Sequence, residues 1–270
     1  GGDGAHLAWA GRAGGAMRIT GDWLAQPGTQ ALCGALEAAG YRALFVGGCV
    51  RNALLGVPVA DVDIATDARP ETVTRLAEVA GLRVVPTGIE HGTVTVIACG
   101  VPHEVTTFRR DVETDGRRAV VAFADDVTED AARRDFTMNA LYADLRGNVI
   151  DPLGGLPDLV ARRLRFVGDA HQRIREDYLR ILRFFRFHAH YGDSGQGMDA
   201  EALAASAELA EGVDGLSRER IGSEIRKLLA APDPAPAVAA MAQAAQRLHS
   251  ATQGVAAIDA RMAEVYIGRF

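Results

Sequence analysis

Two short groups of residues carry side chains suited to handling phosphate. Asp61-Val62-Asp63 offers two carboxylates spaced two apart. On a strand, alternation sends both to one face, where they can share a pair of cations. Hard, octahedral Mg²⁺ suits such a pair, because one or two carboxylates hold it while substrate phosphates and water complete its shell. Gly47-Gly48-x-x-Arg51 falls at an expected strand-to-helix turn. There the missing Cβ atoms let a triphosphate reach backbone N–H groups, and Arg51 can clamp its oxygens. Each group also has a plain reading, a solvated turn for the aspartates and an eased turn beside a solvated arginine for the glycines. Together they describe a nucleotide-triphosphate site, with Asp61 and Asp63 as metal ligands and Gly47, Gly48 and Arg51 as nucleotide contacts.

Three further groups can complete that site. In Arg133-Arg134-Asp135-Phe136-Thr137, Arg134 can fork onto the phosphates or sugar of a nucleotide. Asp135 or Thr137 can equally cap a following helix. Glu104 is either a third acidic group beside the metals or a surface glutamate on an edge strand. Glu176-Asp177-x-x-Arg180-x-x-Arg183-x-x-Arg186 sets polar groups every third residue among apolar Leu179, Ile181, Leu182 and Phe185. Asp177 and Arg180, an acceptor and a donor, can jointly imitate the edge of a template base. Stepping by three on a 3.6-residue helix drifts backwards, so Arg186 lies roughly half a turn from Asp177 unless the helix bends. The competing reading is an ion pair with a solvated arginine face. No histidine pair has zinc spacing beside a glutamate, so no zinc is expected.

The elements that must position these groups follow from periodicity and breakers. Thr29 to Ala39 reads as a helix stopped at Gly40, Ala43 to Val46 as a strand, and Val50 to Leu55 as a helix ending at Gly56. Val62 to Ala65 reads as a second strand, followed by a helix from Pro70 to Ala80. Thr93 to Ala98 and His103 to Phe108 form a hairpin across Cys99-Gly100-Val101-Pro102. Asp111 to Asp126 reads as a polar loop, Val127 to Ala143 as helical, and Asn148 to Ile150 as an edge strand. Asp151-Pro152-Leu153-Gly154-Gly155 marks a domain boundary. Beyond it helices dominate, the longest expected over His171 to Ala189, another over Ser217 to Leu229, with prolines punctuating an Ala-rich tail.

The 270-residue chain is long enough for one sizeable core and a smaller one. Its net charge of −6 argues at first against nucleic acid. The charge is segregated, however: Arg162 to Arg186 carries eight arginines against three carboxylates, a local +5 that leaves the rest near −11. No apolar run reaches membrane-span length, so no membrane partner is expected. Cys33, Cys49 and Cys99 have neither metal spacing nor an even count, which suggests a reducing compartment, the cytoplasm by default. Gly1 to Ala16 is Gly/Ala-rich without periodicity, and residues 1–17 are read as a disordered extension.

With its motifs in this order, the chain resembles the class II polymerase-beta-like nucleotidyltransferases, the tRNA CCA-adding enzymes and their poly(A) polymerase relatives. The resemblance runs from Leu44-Phe45-Val46-Gly47-Gly48-Cys49-Val50-Arg51-Asn52 through Asp61-Val62-Asp63, His91-Gly92-Thr93-Val94 and Val105-Thr106-Thr107-Phe108-Arg109. It continues through Arg133-Arg134-Asp135-Phe136-Thr137-Met138-Asn139-Ala140 to Glu176-Asp177-Tyr178-Leu179-Arg180. It implies an α+β fold, a head with a mixed sheet and flanking helices over 18–150, then an all-helical neck and partial body over 151–270 that binds RNA. It further implies Mg²⁺ on Asp61 and Asp63, with Glu104 as a third catalytic carboxylate and Arg134 reading the ribose. Asp177 and Arg180 would be the amino-acid template for CTP or ATP, and Arg183 and Arg186 further nucleotide contacts. The implied reaction adds CCA to the tRNA 3′ end.

Two departures accompany the resemblance. Asn52 stands where many members have Asp, and family members continue past residue 270, so the chain reads as truncated. Poly(A) synthesis, a catalytically impaired RNA-binding remnant and a small-molecule nucleotidyltransferase are the alternatives. Ile89-Glu90-His91-Gly92-Thr93-Val94, where poly(A) polymerases carry an arginine-rich stretch, favours CCA addition.

Overall fold

The computed structural model describes residues 17–85, 88, 92–111 and 121–251. Residues 1–16, Ile89 to His91 and residues 112–120 lie outside them, and with them the expected extension up to Met17 and the first half of the motif read as favouring CCA addition. The chain divides into two compact units, Gly1–Leu159 and Val160–Phe270.

The first unit is built on a seven-stranded mixed sheet of order β3-β4-β5-β2-β1-β8-β9. Its strands are β1 (Leu44–Val46), β2 (Asp63–Thr66), β3 (Arg83–Val85), β4 (Thr93–Ala98), β5 (Val101–Thr107), β8 (Tyr142–Ala143) and β9 (Val149–Ile150). β2 and β5 pair in parallel, and the other neighbours are antiparallel. Helices α1 (Asp22–Ala25), α2 (Pro27–Ala38), α3 (Gly48–Leu55), α4 (Pro70–Val79) and α5 (Val127–Ala132) surround it. On β4, Val94, Val96 and Ala98 are buried and alternate with half-buried neighbours, as a strand with one face in the core requires. α2 and α4 pack on β4. The hydroxyl of Thr29 in α2 meets buried His103 of β5 at 2.8 Å, which fixes the helix-covered face of that strand. Glu104, the next residue, therefore points to the opposite face.

Four expectations are corrected. The β4–β5 hairpin turns on two residues, because Cys99 (φ 50°) and Gly100 (φ 82°) both take left-handed backbone, so β5 starts at Val101. Within the expected 111–126 loop, Asp111 and Val121–Phe123 belong to a second, small sheet, with β6 (Arg109–Asp111) paired to β7 (Val121–Phe123). Val127 to Ala143 is not one helix: α5 stops at Ala132, a 3₁₀ turn spans Thr137–Asn139, and Tyr142–Ala143 joins the sheet. Asp135 causes the break, since its carboxylate accepts from its neighbour's N–H at Phe136 (2.8 Å) and from Asn139 (2.9 Å). Finally, β2 begins at Asp63, so Asp61 sits on the approach to the strand and its direction does not follow from strand alternation.

In sequence, α6 (Leu156–Val160) crosses the division between the units, and the second unit contains α7 (Ala170–Glu176), α8 (Leu179–Tyr191), α9 (Ala200–Glu208), α10 (Arg218–Leu229) and α11 (Ala235–Ala251). The long helix expected over 171–189 is broken. Asp177 is extended (φ −157°, ψ 105°) and accepts from the Leu179 N–H at 3.1 Å, so its side chain ends α7 and starts α8. α11, with 17 residues, is the longest helix among the described residues. α8 buries Leu179, Ile181, Leu182, Phe184, Phe185 and Phe187, with Phe166 and Phe184 stacked at 5.9 Å.

Candidate nucleotide site

The sheet register assembles the acidic half of the site. Asp63 of β2 lies directly beside Glu104 of β5, which in turn faces Thr95 of β4. Glu104 thus belongs to an interior strand and not to an edge, and it is exposed. Burial, the Glu104 and Asp61 charges and the opposing pull of Arg134 act on Asp63, and the net effect raises its pKa above the usual aspartate value. A divalent cation would relieve that repulsion. Among the described residues no group of three or more His, Cys, Asp or Glu side chains is placed to hold a metal ion by itself. The adjacent Asp63 and Glu104 carboxylates fit a hard cation that takes the rest of its shell from phosphate and water.

The basic half surrounds the β1–α3 turn. Gly47 has φ 69°, a conformation that favours glycine, and no side chain caps the N-terminus of α3. The first N–H groups of that helix are therefore available to an anion. A Cβ on Gly47 would stand 3.4 Å from Nη1 of Arg134, so that guanidinium borders the turn. Arg51, on the first turns of α3, is buried, not solvated. Its Nη1 donates to Oδ1 of Asn139 (2.6 Å), while Nε and Nη2 donate to the side-chain Oδ1 of Asn52 at 3.2 and 2.8 Å. Asn52 in turn donates to the Pro58 carbonyl at 2.9 Å, tying α3 to the segment that leads to Asp61. That donor needs an amide, which gives the Asn at this position a physical role.

Arg134 is held by a compact buried group. Its Nε donates to the Tyr142 hydroxyl (3.0 Å) and its Nη2 to Asp130 (3.1 Å), and the Tyr142 hydroxyl donates to the same Asp130 oxygen at 2.7 Å. Burial opposes the Arg134 charge, but Tyr142 and Asp130 more than offset it and hold its pKa above the ordinary arginine value. Asp130, Tyr142 and Asn139 were not singled out from the sequence. Only the i,i+4 spacing of Asp130 and Arg134 could have pointed to one of them. Thr137 donates to buried Asp158 at 2.8 Å, so both Asp135 and Thr137 are structural.

The second unit holds Asp177, Arg180, Arg183 and Arg186. The Asp177 carboxylate is shared between the Leu179 N–H and Arg220 of α10 at 2.7 Å. Arg180 donates to Glu176 (2.6 Å) and to the Arg173 carbonyl (2.7 Å). Arg180 thus pairs with Glu176 at i,i+4, while Asp177 pairs with Arg220. Arg186 is far from solvated: it forms a 2.5 Å pair with buried Glu224 and lies 4.3 Å over the Phe187 ring. Arg183 lies 5.3 Å over the same ring. The break before α8 removes the single-helix geometry that set Asp177 and Arg186 half a turn apart.

Residues 43–165 match the family described as the poly A polymerase head domain. The mitochondrial CCA tRNA nucleotidyltransferase 1 of Mus musculus is 46% identical over 186 residues, 68% of this chain and 43% of that protein. The CCA-adding enzyme of Streptococcus pyogenes serotype M2 is 46% identical over 208 residues, 76% of this chain and 50% of that protein. The crystal structure of the Bacillus stearothermophilus CCA-adding enzyme in complex with CTP superposes with a TM-score of 0.74 at 36% identity, covering 89% of this chain and 57% of that one. The chain spans about half the length of the curated relatives it matches. Its mixed sheet with flanking helices is the polymerase-beta-like nucleotidyltransferase head, a family that generally uses divalent metal ions. No helix among the described residues is long and apolar enough to cross a membrane. Over residues 43–165 the chain carries the head domain of the poly A polymerase family, and the relatives it resembles are CCA-adding nucleotidyltransferases.

Proposed function

We propose that the chain adds CCA to the 3′ end of tRNA, taking CMP twice from CTP and AMP from ATP. The observation that carries this reading is the uncapped, glycine-built start of α3, flanked by Arg51 and Arg134 and set beside the Asp63–Glu104 pair. The α3 N–H groups and Arg51 would bind the triphosphate, and Arg134 the ribose side of the nucleotide. Asp61 and Asp63 would hold Mg²⁺, with Glu104 beside them. When bound, Mg²⁺ supplies activation of the RNA 3′-hydroxyl and stabilisation of departing pyrophosphate. No strong general base among the side chains is then needed, and the protein's contribution is in-line positioning.

Residues 18–150 serve in this reading as the catalytic head and 151–270 as a helical neck and partial body that contacts RNA. Asp177 and Arg180 choose the base, while Arg183 and Arg186 support the nucleotide. The buried Arg186–Glu224 pair gives Arg186 a structural duty as well. Three free cysteines are compatible with a reducing cytoplasm. Incubating the protein with tRNA lacking its terminus and with single nucleotides tests the whole reading. Addition of two C residues and then one A is expected. Long A tails from ATP alone would point to a poly(A) polymerase, and RNA binding without incorporation to an RNA-binding remnant.

A further inference from the structure

We propose that Tyr142 and Asp130 are positioning residues for the nucleotide, acting through Arg134. The register of β8 against β1 sets Tyr142 beside Val46, immediately before the Gly47 turn. Its ring is fully buried, and a phenylalanine would fill the same space. The hydroxyl is what needs explaining, because a buried O–H is costly unless it finds partners. It has two, accepting from Arg134 Nε at 3.0 Å and donating to Asp130 at 2.7 Å. Asp130 closes the triangle on Arg134 Nη2 at 3.1 Å, and its other oxygen accepts the Arg109 N–H at 3.1 Å.

Two of the three guanidinium nitrogens are thereby fixed, and a planar fork held at two points has little freedom at the third. That third nitrogen, Nη1, is the one bordering Gly47. The guanidinium also acts on the Asp63 charge, so it lies within electrostatic reach of the acidic row. A buried ion pair is weak evidence of stabilisation, since desolvation can exceed the attraction. A triangle that aims one nitrogen at an anion-binding turn has a positional role that a plain core contact lacks. The inference rests on Arg134 contacting the nucleotide, as proposed above.

The test is a double-mutant cycle read as the affinity for CTP with Mg²⁺ present, with thermal unfolding of each protein alongside. Tyr142→Phe keeps the ring and removes the hydroxyl, and it should weaken CTP binding about tenfold, the size of one charge-assisted hydrogen bond. Arg134→Lys should weaken it further. Tyr142→Phe added to Arg134→Lys should then cost less than about twofold more, because its effect passes through the guanidinium fork. A merely structural tyrosine would lower the unfolding midpoint while leaving CTP affinity unchanged. Unchanged affinity, or effects that multiply across the cycle, would overturn the inference. Should Tyr142→Phe fail to fold, Asp130→Asn, which keeps the volume and removes the charge, runs the same cycle with the same outcomes. Arg134→Ala separates the two layers: if it binds CTP as wild type does, the placement of Arg134 at the nucleotide fails, and this inference with it. If it weakens binding while Tyr142→Phe does not, only the inference fails.

Discussion

Arg134 in the first unit and Arg180 in the second are both candidate nucleotide contacts, yet the protein holds them by different means. Arg134 is gripped by a buried tyrosine and a buried aspartate on separate elements, β8 and α5. Arg180 is held by Glu176 and a main-chain carbonyl, and its neighbour Asp177 by Arg220, whose side chain is about half exposed. A buried network fixes one geometry, because each member would be left unpaired if another moved. The Arg220–Asp177 pair, with both side chains a third to a half exposed, is weak and exchanges readily with water. That contrast suits the proposed duties: phosphate and sugar are common to CTP and ATP and call for one fixed receptor, whereas a base selector must release one base and accept another.

The largest effect expected from disturbing this contrast is at the acidic row. Asp63→Asn should lower incorporation about a thousandfold or more, as loss of metal-borne charge stabilisation implies. The same change should raise the thermal midpoint. Burial and neighbouring charges push the Asp63 pKa up in the folded state, so its protonated form favours folding. That contribution is complete below the unfolded pKa and is lost as pH rises through the raised one. The variant's advantage should therefore be full at neutral pH and vanish below about pH 4. An unchanged midpoint at neutral pH would show that Asp63 carries no such strain.

Next comes the second unit's pair between Arg186 and buried Glu224. Glu224→Ala leaves Arg186 without its partner and should destabilise the protein by about 3 kcal/mol in denaturant unfolding. A loss under about 1 kcal/mol would put that pair in the same class as the exposed ones. Smaller still is Arg180→Ala, which should shift the CTP-to-ATP ratio of kcat/KM by about tenfold. Unchanged selectivity removes the template role. Smallest is Arg220→Gln, worth less than about 1 kcal/mol of stability and less again at high salt. A large loss there would erase the contrast between fixed and exchangeable holders.

Local chemistry made much of the head legible. The glycine stops, the β-branched hairpin and the order of strands and helices through Gly81 all follow from patterns within about a dozen residues. Where the reading failed, a distant partner or a competing side chain decided. Tyr142-Ala143 reads as helix by pattern and becomes strand because β1 offers it a ladder. Arg109–Asp111 and Val121–Phe123 are too short to announce a sheet without each other. At Asp177, the carboxylate's competition for the Leu179 N–H broke a helix whose apolar spacing was otherwise continuous.

For the site, residue type and spacing were enough to name Gly47, Gly48, Arg51, Asp61, Asp63, Arg134, Asp177 and Arg180 as candidates, because hard-cation ligands and phosphate donors are few and their local spacing is constrained. Spacing could not choose between an edge and an interior Glu104, nor find Asp130, Asn139 and Tyr142 as the groups that aim Arg134 and Arg51. Those assignments depend on strand register and on which polar groups are buried together. A buried donor must be matched by whatever acceptor the fold brings to it, and that acceptor can come from anywhere along the chain.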